Sequence, residues 1–163
     1  MELKDYIEFM KYKHKDQKRI QGTPYYTHPL AVSKILKDKN FSIDYQIAAL
    51  FHDLLEDTDT TYDEIKKITN TDIAEAVRLV TKESGYTIED YIDRISKNKM
   101  AKMVKLADRI HNLSEAHFTS KEFQKKYIEE TEKWYIKLSE GTDFEEDIKN
   151  ELNKLKVNIK KID

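Results

Sequence analysis

The chain is 163 residues long, with 29 basic and 31 acidic residues and a formal net charge of −2. A chain of this size can bury a real core, and its charge balance gives no general pull toward nucleic acid or an anionic membrane. With no cysteine, disulfides, thiolate metal sites and cysteine nucleophiles are excluded. With no apolar run of spanning length and no signal-like N-terminus, a cytoplasmic protein is expected.

Charged residues make up 37% of the chain, against three glycines and two prolines. That composition suits solvated helices with few tight turns. Helical periodicity dominates and no convincing alternating strand occurs, so the expectation is an all-α bundle of about seven to eight helices forming one domain over 1–163. The first irregular stretch is "RIQGTPYYTHPL", Arg19 to Leu30, which holds both prolines. It reads as a structured loop entering a helix with Pro29 in its first turn, so His28 stands at the junction. From Ser42 to Leu55, Ile43, Ile47, Leu50, Phe51 and Leu54 recur at helical spacing. Thr61, Thr87, Thr119 and Thr142 each open a Thr-x-x-acid pattern that reads as a helix start, and Gly85 and Gly141 are suited to end the helix before. In "MAKMVKLADRIHNL", Met100, Met103, Val104, Ala107 and Ile110 form a stripe, with Asp108 just past it and Asn112 one turn on. Near the end, Phe144, Ile148, Leu152, Leu155 and Ile159 mark an amphipathic helix over about 142–160. This helix either closes the domain or meets another subunit, as in a homo-oligomer.

One stretch carries more chemistry than a helix face requires. In "AALFHDLLEDT", Ala48 to Thr58, His52, Asp53, Glu56 and Asp57 crowd into six positions, the first three opposite the apolar stripe. Such residues usually form a solvated face. However, the interval from Asn40 to Ile65 contains no Lys or Arg while holding seven acids, and elsewhere the two signs interleave. A cluster of like charges calls for a cation or is simply tolerated in water. Histidine with carboxylates is a ligand set for a divalent transition metal. Among the other histidines, His14 lies in a lysine-rich segment and reads as a surface residue. His117 has no acidic pattern around it, and His111 can cap or pack locally. His28 stands out through its Gly/Pro/Tyr setting, with a lone structural histidine as the alternative. For Asp108 the alternative is a surface pair with Arg109.

The order His28, His52-Asp53, Asp108 and the words "GTPYYTHPLAV", "AALFHDLLEDT" and "MVKLADRIHNL" resemble the HD-domain phosphohydrolases, in particular the hydrolase domain of RelA/SpoT-type proteins. The resemblance runs from about residue 4 to about residue 139. It implies an HD-domain helical bundle holding one Mn²⁺ through His28, His52, Asp53 and Asp108, with Glu56 and Asp57 as the acidic pair that handles protons. It further implies Arg19 against a guanine base, Asn112 lining the nucleotide pocket, and Lys125 and Lys126 facing phosphates. The implied activity is hydrolysis of the alarmones ppGpp and pppGpp to GDP or GTP and pyrophosphate through a metal-activated water. Ile20 departs from the family pattern where a basic residue is usual, and Glu115 where threonine is common. The length leaves no room for a synthetase domain, so a stand-alone hydrolase is expected. Two alternatives stay open: an HD phosphohydrolase for another nucleotide, such as a dinucleotide phosphate or deoxynucleotide, and a nucleotide-binding HD protein without turnover.

Overall fold

Stripes of apolar side chains at three- and four-residue spacing become buried helix faces, and the all-α expectation holds. The computed structural model describes residues 1–162. Among them no β-ladder forms; Lys18 and Pro24 share a lone antiparallel bridge. No described helix is long and apolar enough to cross a membrane. The chain divides into two units, Met1–Lys105 and Leu106 onward.

The first unit begins with α1 (Leu3–Lys13), followed after a loop by α2 (Thr27–Asp38) and α3 (Ile43–Phe51). α2 and α1 both pack on α3, which is almost wholly buried from Gln46 to Phe51. Each large apolar side chain buried in this way contributes roughly 1.5–3 kcal/mol. The spacing predicts one helix through Leu55, yet α3 stops at Phe51. The His52 ring bonds through Nδ1 to the Ala49 carbonyl at 2.6 Å, which occupies the acceptor that the Asp53 amide would use in a continuous helix. The chain turns there and resumes as the single turn α4 (Leu54–Asp57). Further on come α5 (Tyr62–Ile68), α6 (Thr71–Val80) and α7 (Ile88–Ser96), with α6 packed on α3, α5 and α7. Thr61 and Thr87 cap α5 and α7 as expected, each hydroxyl accepting a backbone N–H of the first turn.

α8 (Lys99–Glu115) runs through the division of the chain. In the second unit a 3₁₀ turn, Ala116–Phe118, leads to α9 (Lys121–Glu130). Ser120 caps this helix instead of the expected Thr119, its hydroxyl accepting the Phe123 N–H at 3.2 Å, while the Thr119 hydroxyl donates to the Ala116 carbonyl at 2.6 Å. A π-helical turn, Thr131–Tyr135, follows, then α10 (Ile136–Ser139). Gly141, at φ +74°, takes the left-handed conformation just past the end of α10, as its position in the sequence suggests. α11 (Glu145–Ile162) buries Ile148, Leu152, Leu155 and Ile159, the stripe read from the sequence, against α9 and α10. It starts three residues beyond Thr142, whose hydroxyl donates to the Ser139 carbonyl at 2.7 Å and accepts the Phe144 N–H at 3.2 Å. Arg109 is 2% exposed rather than a surface partner of Asp108. Its guanidinium lies between the rings of Tyr127 and Tyr135, at 4.0 and 3.8 Å, and bonds Glu130 at 2.6 Å. A planar cation between two aromatic faces with a carboxylate at its edge is well solvated inside the protein.

Candidate metal centre

The irregular loop after α1 prepares the site. Tyr25 N–H bonds Gln17 C=O at 2.9 Å, Arg19 N–H bonds Thr23 C=O at 2.8 Å, and Gly22 closes a tight turn onto the Arg19 carbonyl at 2.9 Å. Gly22 sits at φ +94°, a conformation that costs glycine little. The loop leaves half-buried Arg19 at its turn, beside the exposed Ile20. It then delivers His28, 1% exposed, into the first turn of α2. Pro29 follows there, where its missing N–H is one the helix would not use.

His52, 4% exposed, ends α3 and Asp53 starts the next turn. The bond from Nδ1 to Ala49 fixes the His52 tautomer and turns Nε2 toward Asp53, whose Oδ2 lies 3.0 Å away. His28 Nε2 lies 3.8 Å from the same oxygen, and the two rings meet edge to face with centroids 5.2 Å apart. With Nδ1 committed to Ala49, a neutral His52 turns an acceptor nitrogen toward the Asp53 oxygen, a pairing that a cation between them relieves. A single proton cannot serve both imidazoles, and two adjacent imidazolium ions would repel. One divalent ion suits all three donors, so the set fits a metal.

Beyond it, Asp53, Glu56 and Asp57 offer carboxylate oxygens within 4.8 Å of one another. The turn that the sequence predicted survives the helix break, since Asp57 N–H still bonds Asp53 C=O at 3.0 Å. Glu56 Oε1 accepts the Lys82 backbone N–H at 2.8 Å, which fixes that carboxylate. Asp57 is pushed up from its usual 3.8 to about 6 by burial, then by the charges of Asp53 and Glu56. The fold therefore favours its protonated form. In metal-free protein the ionised form carries a penalty that is absent below pH 4 and complete above pH 6. Wild type is thus expected to lose stability relative to Asp57→Asn as pH rises from about 4 to about 6. Urea melts with chelator present at several pH values check this; parallel curves for the two proteins would refute it.

His14 is fully buried, against the surface reading. Its lysine-rich neighbours point outward, while the loop folds back and Gln17 Oε1 meets its Nδ1 at 2.8 Å. Burial lowers its pKa. The sequence reading also passes over Gln17, Tyr25 and Lys82. Only the first of the paired tyrosines in "GTPYYTHP", three residues before His28, offered a signal. Lys82 Nζ, Arg94 and Lys105 Nζ each lie 5.6 Å from the Tyr91 ring, a cationic group in the same unit as Glu56.

In the second unit, Asp108 is 5% exposed and accepts a bond from Asn112 Nδ2 at 3.1 Å, so the two share a helix face as predicted. Glu115 pairs with His111 at 3.4 Å along the same helix. Lys125 and Lys126 are exposed on α9, and His117 is exposed.

A helical fold built around a His-Asp pair, with a second histidine from an earlier helix, defines a class of protein. The HD domain profile matches residues 7–142, and the chain belongs to the HD-domain family. The resemblance to RelA/SpoT-type proteins holds in its relatives. The chain is 36% identical over 146 residues to the guanosine-3′,5′-bis(diphosphate) 3′-pyrophosphohydrolase of Aquifex aeolicus, covering 85% of this chain and 21% of that one. It is 31% identical over 145 residues to the Danio rerio protein of the same name, MESH1, covering 83% and 81%. A solved structure titled as a metazoan ortholog of SpoT that hydrolyzes ppGpp superposes with a TM-score of 0.79 at 26% identity, covering 93% and 92%. The chain spans about a fifth of the length of the long bacterial relatives.

Proposed function

We propose that this chain is a metal-dependent hydrolase of guanosine 3′,5′-bis(diphosphate) and its pentaphosphate counterpart, releasing pyrophosphate and leaving GDP or GTP in the cytoplasm. The observation that carries the reading is the convergence of His28 and His52 on Asp53 Oδ2, flanked by Glu56 and Asp57. Relatives named for this reaction support the substrate. His28, His52 and Asp53 hold the ion. Asp108 enters as the fourth ligand from the sequence match alone. Manganese is the preferred metal because a set of two nitrogens and two carboxylates suits it better than structural zinc.

A bound divalent ion lowers the pKa of water and polarises a phosphoryl group. The chain's own residues supply proton handling. Glu56, fixed by the Lys82 amide, takes a proton from the attacking water. The water oxygen joins the phosphorus attached to O3′, and the bond from that phosphorus to O3′ breaks. Asp57, beside Asp53 and Glu56, returns a proton to the departing ribose oxygen. Lys82, Arg94 and Lys105, partly buried around Tyr91, meet phosphate charge, and Lys125 and Lys126 remain the looser assignment. Asn112, beside Asp108, lines the nucleotide side.

Mass-spectrometric product analysis of ppGpp incubated with protein and Mn²⁺ tests the reading: pyrophosphate and GDP are expected. Faster turnover of another nucleotide would replace the substrate, and nucleotide binding without products would indicate a sensor. Arg19→Ala is expected to lower kcat/KM for guanine nucleotides by about 5- to 150-fold, with metal content unchanged, since one stacking contact is worth roughly 1–3 kcal/mol. If the variant instead loses thermal stability with its purine preference intact, Arg19 only braces the loop.

A further inference from the structure

The loop between α1 and α2 reaches the acidic pair through two arms. One is Tyr25, whose hydroxyl donates to Asp53 Oδ2 at 2.6 Å, the oxygen on which both histidines converge. The same hydroxyl offsets part of the burial that raises the Asp57 pKa. The other arm is Gln17, whose Nε2 donates to the Asp57 backbone carbonyl at 2.8 Å. The arms share one foundation. Tyr25 N–H bonds the Gln17 carbonyl at 2.9 Å, the Tyr25 ring rests on the His14 ring with centroids 4.9 Å apart, and Gln17 Oε1 meets His14 Nδ1. Since Gln17 spends its amide N–H on Asp57, its oxygen must accept from His14, which sets the tautomer of that buried ring. His14 and Gln17 thus hold one phenol ring and one carbonyl between them.

We propose that Tyr25 is a positioning residue: its phenol orients the Asp53 carboxylate toward the cation and keeps Asp57 in register beside it, with Gln17 and His14 as its support. The inference rests on the metal-centre reading above, although not on the identity of the nucleotide. A carboxylate with one oxygen free to rotate presents several geometries to an ion, and a short bond from a buried donor selects one. The brace spans 28 residues of sequence, from Tyr25 to Asp53, so loss of the donor leaves both helices intact and frees only the carboxylate.

Tyr25→Phe removes the oxygen and keeps the ring. Metal-free variant and wild type are titrated with Mn²⁺ against a chromophoric chelator, melted without metal, and assayed at saturating Mn²⁺. The variant is expected to bind Mn²⁺ about 10- to 100-fold more weakly, the usual cost of losing a ligand's hydrogen-bond partner. Its metal-free melting temperature should stay within about 2 °C of wild type, less than the shift a 1 kcal/mol loss produces in a domain this size. At saturating Mn²⁺, kcat should fall while KM holds, because the nucleotide contacts are untouched. Unchanged Mn²⁺ affinity overturns the proposal, and a lower melting temperature alongside it would make Tyr25 a fold brace. If Tyr25→Phe does not fold, Gln17→Leu cuts the other arm, and the same test applies: weaker Mn²⁺ binding supports the proposal and unchanged binding overturns it. A wild type that binds Mn²⁺ yet releases no pyrophosphate from ppGpp sinks the substrate reading alone, and the metal titration still decides Tyr25. A wild type that binds no Mn²⁺ sinks both.

Discussion

Asp53→Ala is expected to abolish metal retention and hydrolysis together. Asp53 Oδ2 is the shared point of the centre, 3.0 Å from His52 Nε2, 3.8 Å from His28 Nε2 and 2.6 Å from the Tyr25 hydroxyl. Its removal leaves two neutral nitrogens and no charge opposite the ion in this unit's part of the set. Losing a partner one shell out already weakens metal binding 10- to 100-fold, so loss of this ligand should exceed about 100-fold. Hydrolysis should drop below detection at any practical metal concentration. Helix content should survive, because Asp53 lies at a break between α3 and α4 and not in the apolar core. Metal analysis by mass spectrometry, circular dichroism and a pyrophosphate assay on the same sample check the three statements. A variant that keeps stoichiometric metal would remove Asp53 from the ligand set.

Glu56→Gln separates binding from chemistry. The amide keeps the size of the side chain and keeps an oxygen for the Lys82 N–H, so the 2.8 Å brace to the start of the next loop is retained. What it loses is the capacity to take a proton. Positioned acid–base groups contribute about 10²- to 10⁴-fold, and kcat should fall by that amount with metal content unchanged. The brace itself offers the rival account, in which Glu56 merely ties Lys82 down. Under that account Glu56→Gln would turn over at the wild-type rate, because its hydrogen bond is intact. Loss of metal as complete as in Asp53→Ala would instead make Glu56 a ligand.

Local physics made much of this protein readable. The α11 stripe and the α3 core positions were legible because helical spacing reports burial directly, and Thr61 and Thr87 because a cap acts within its own turn. Where two local options competed, the sequence could not choose. Thr119 and Ser120 are both sound caps, and the helix begins after the serine, with the threonine left at the end of the preceding 3₁₀ turn. The acidic cluster and its missing lysines flagged the site by charge alone, and the order of His28, His52-Asp53 and Asp108 supplied the family. The working geometry was decided elsewhere. A His52 ring bonded to Ala49 broke the expected helix and aimed its nitrogen at Asp53. Tyr25 meets Asp53 across 28 residues and Lys82 meets Glu56 across 26. His14 is buried despite its lysines because a loop closes over it. None of these has a periodic or compositional trace, since a hydrogen bond between distant segments depends on where the packed helices bring them. The sequence by itself determined the helices and the candidate residues, whose signals are local, and only the tertiary structure decided which distant groups lie against them.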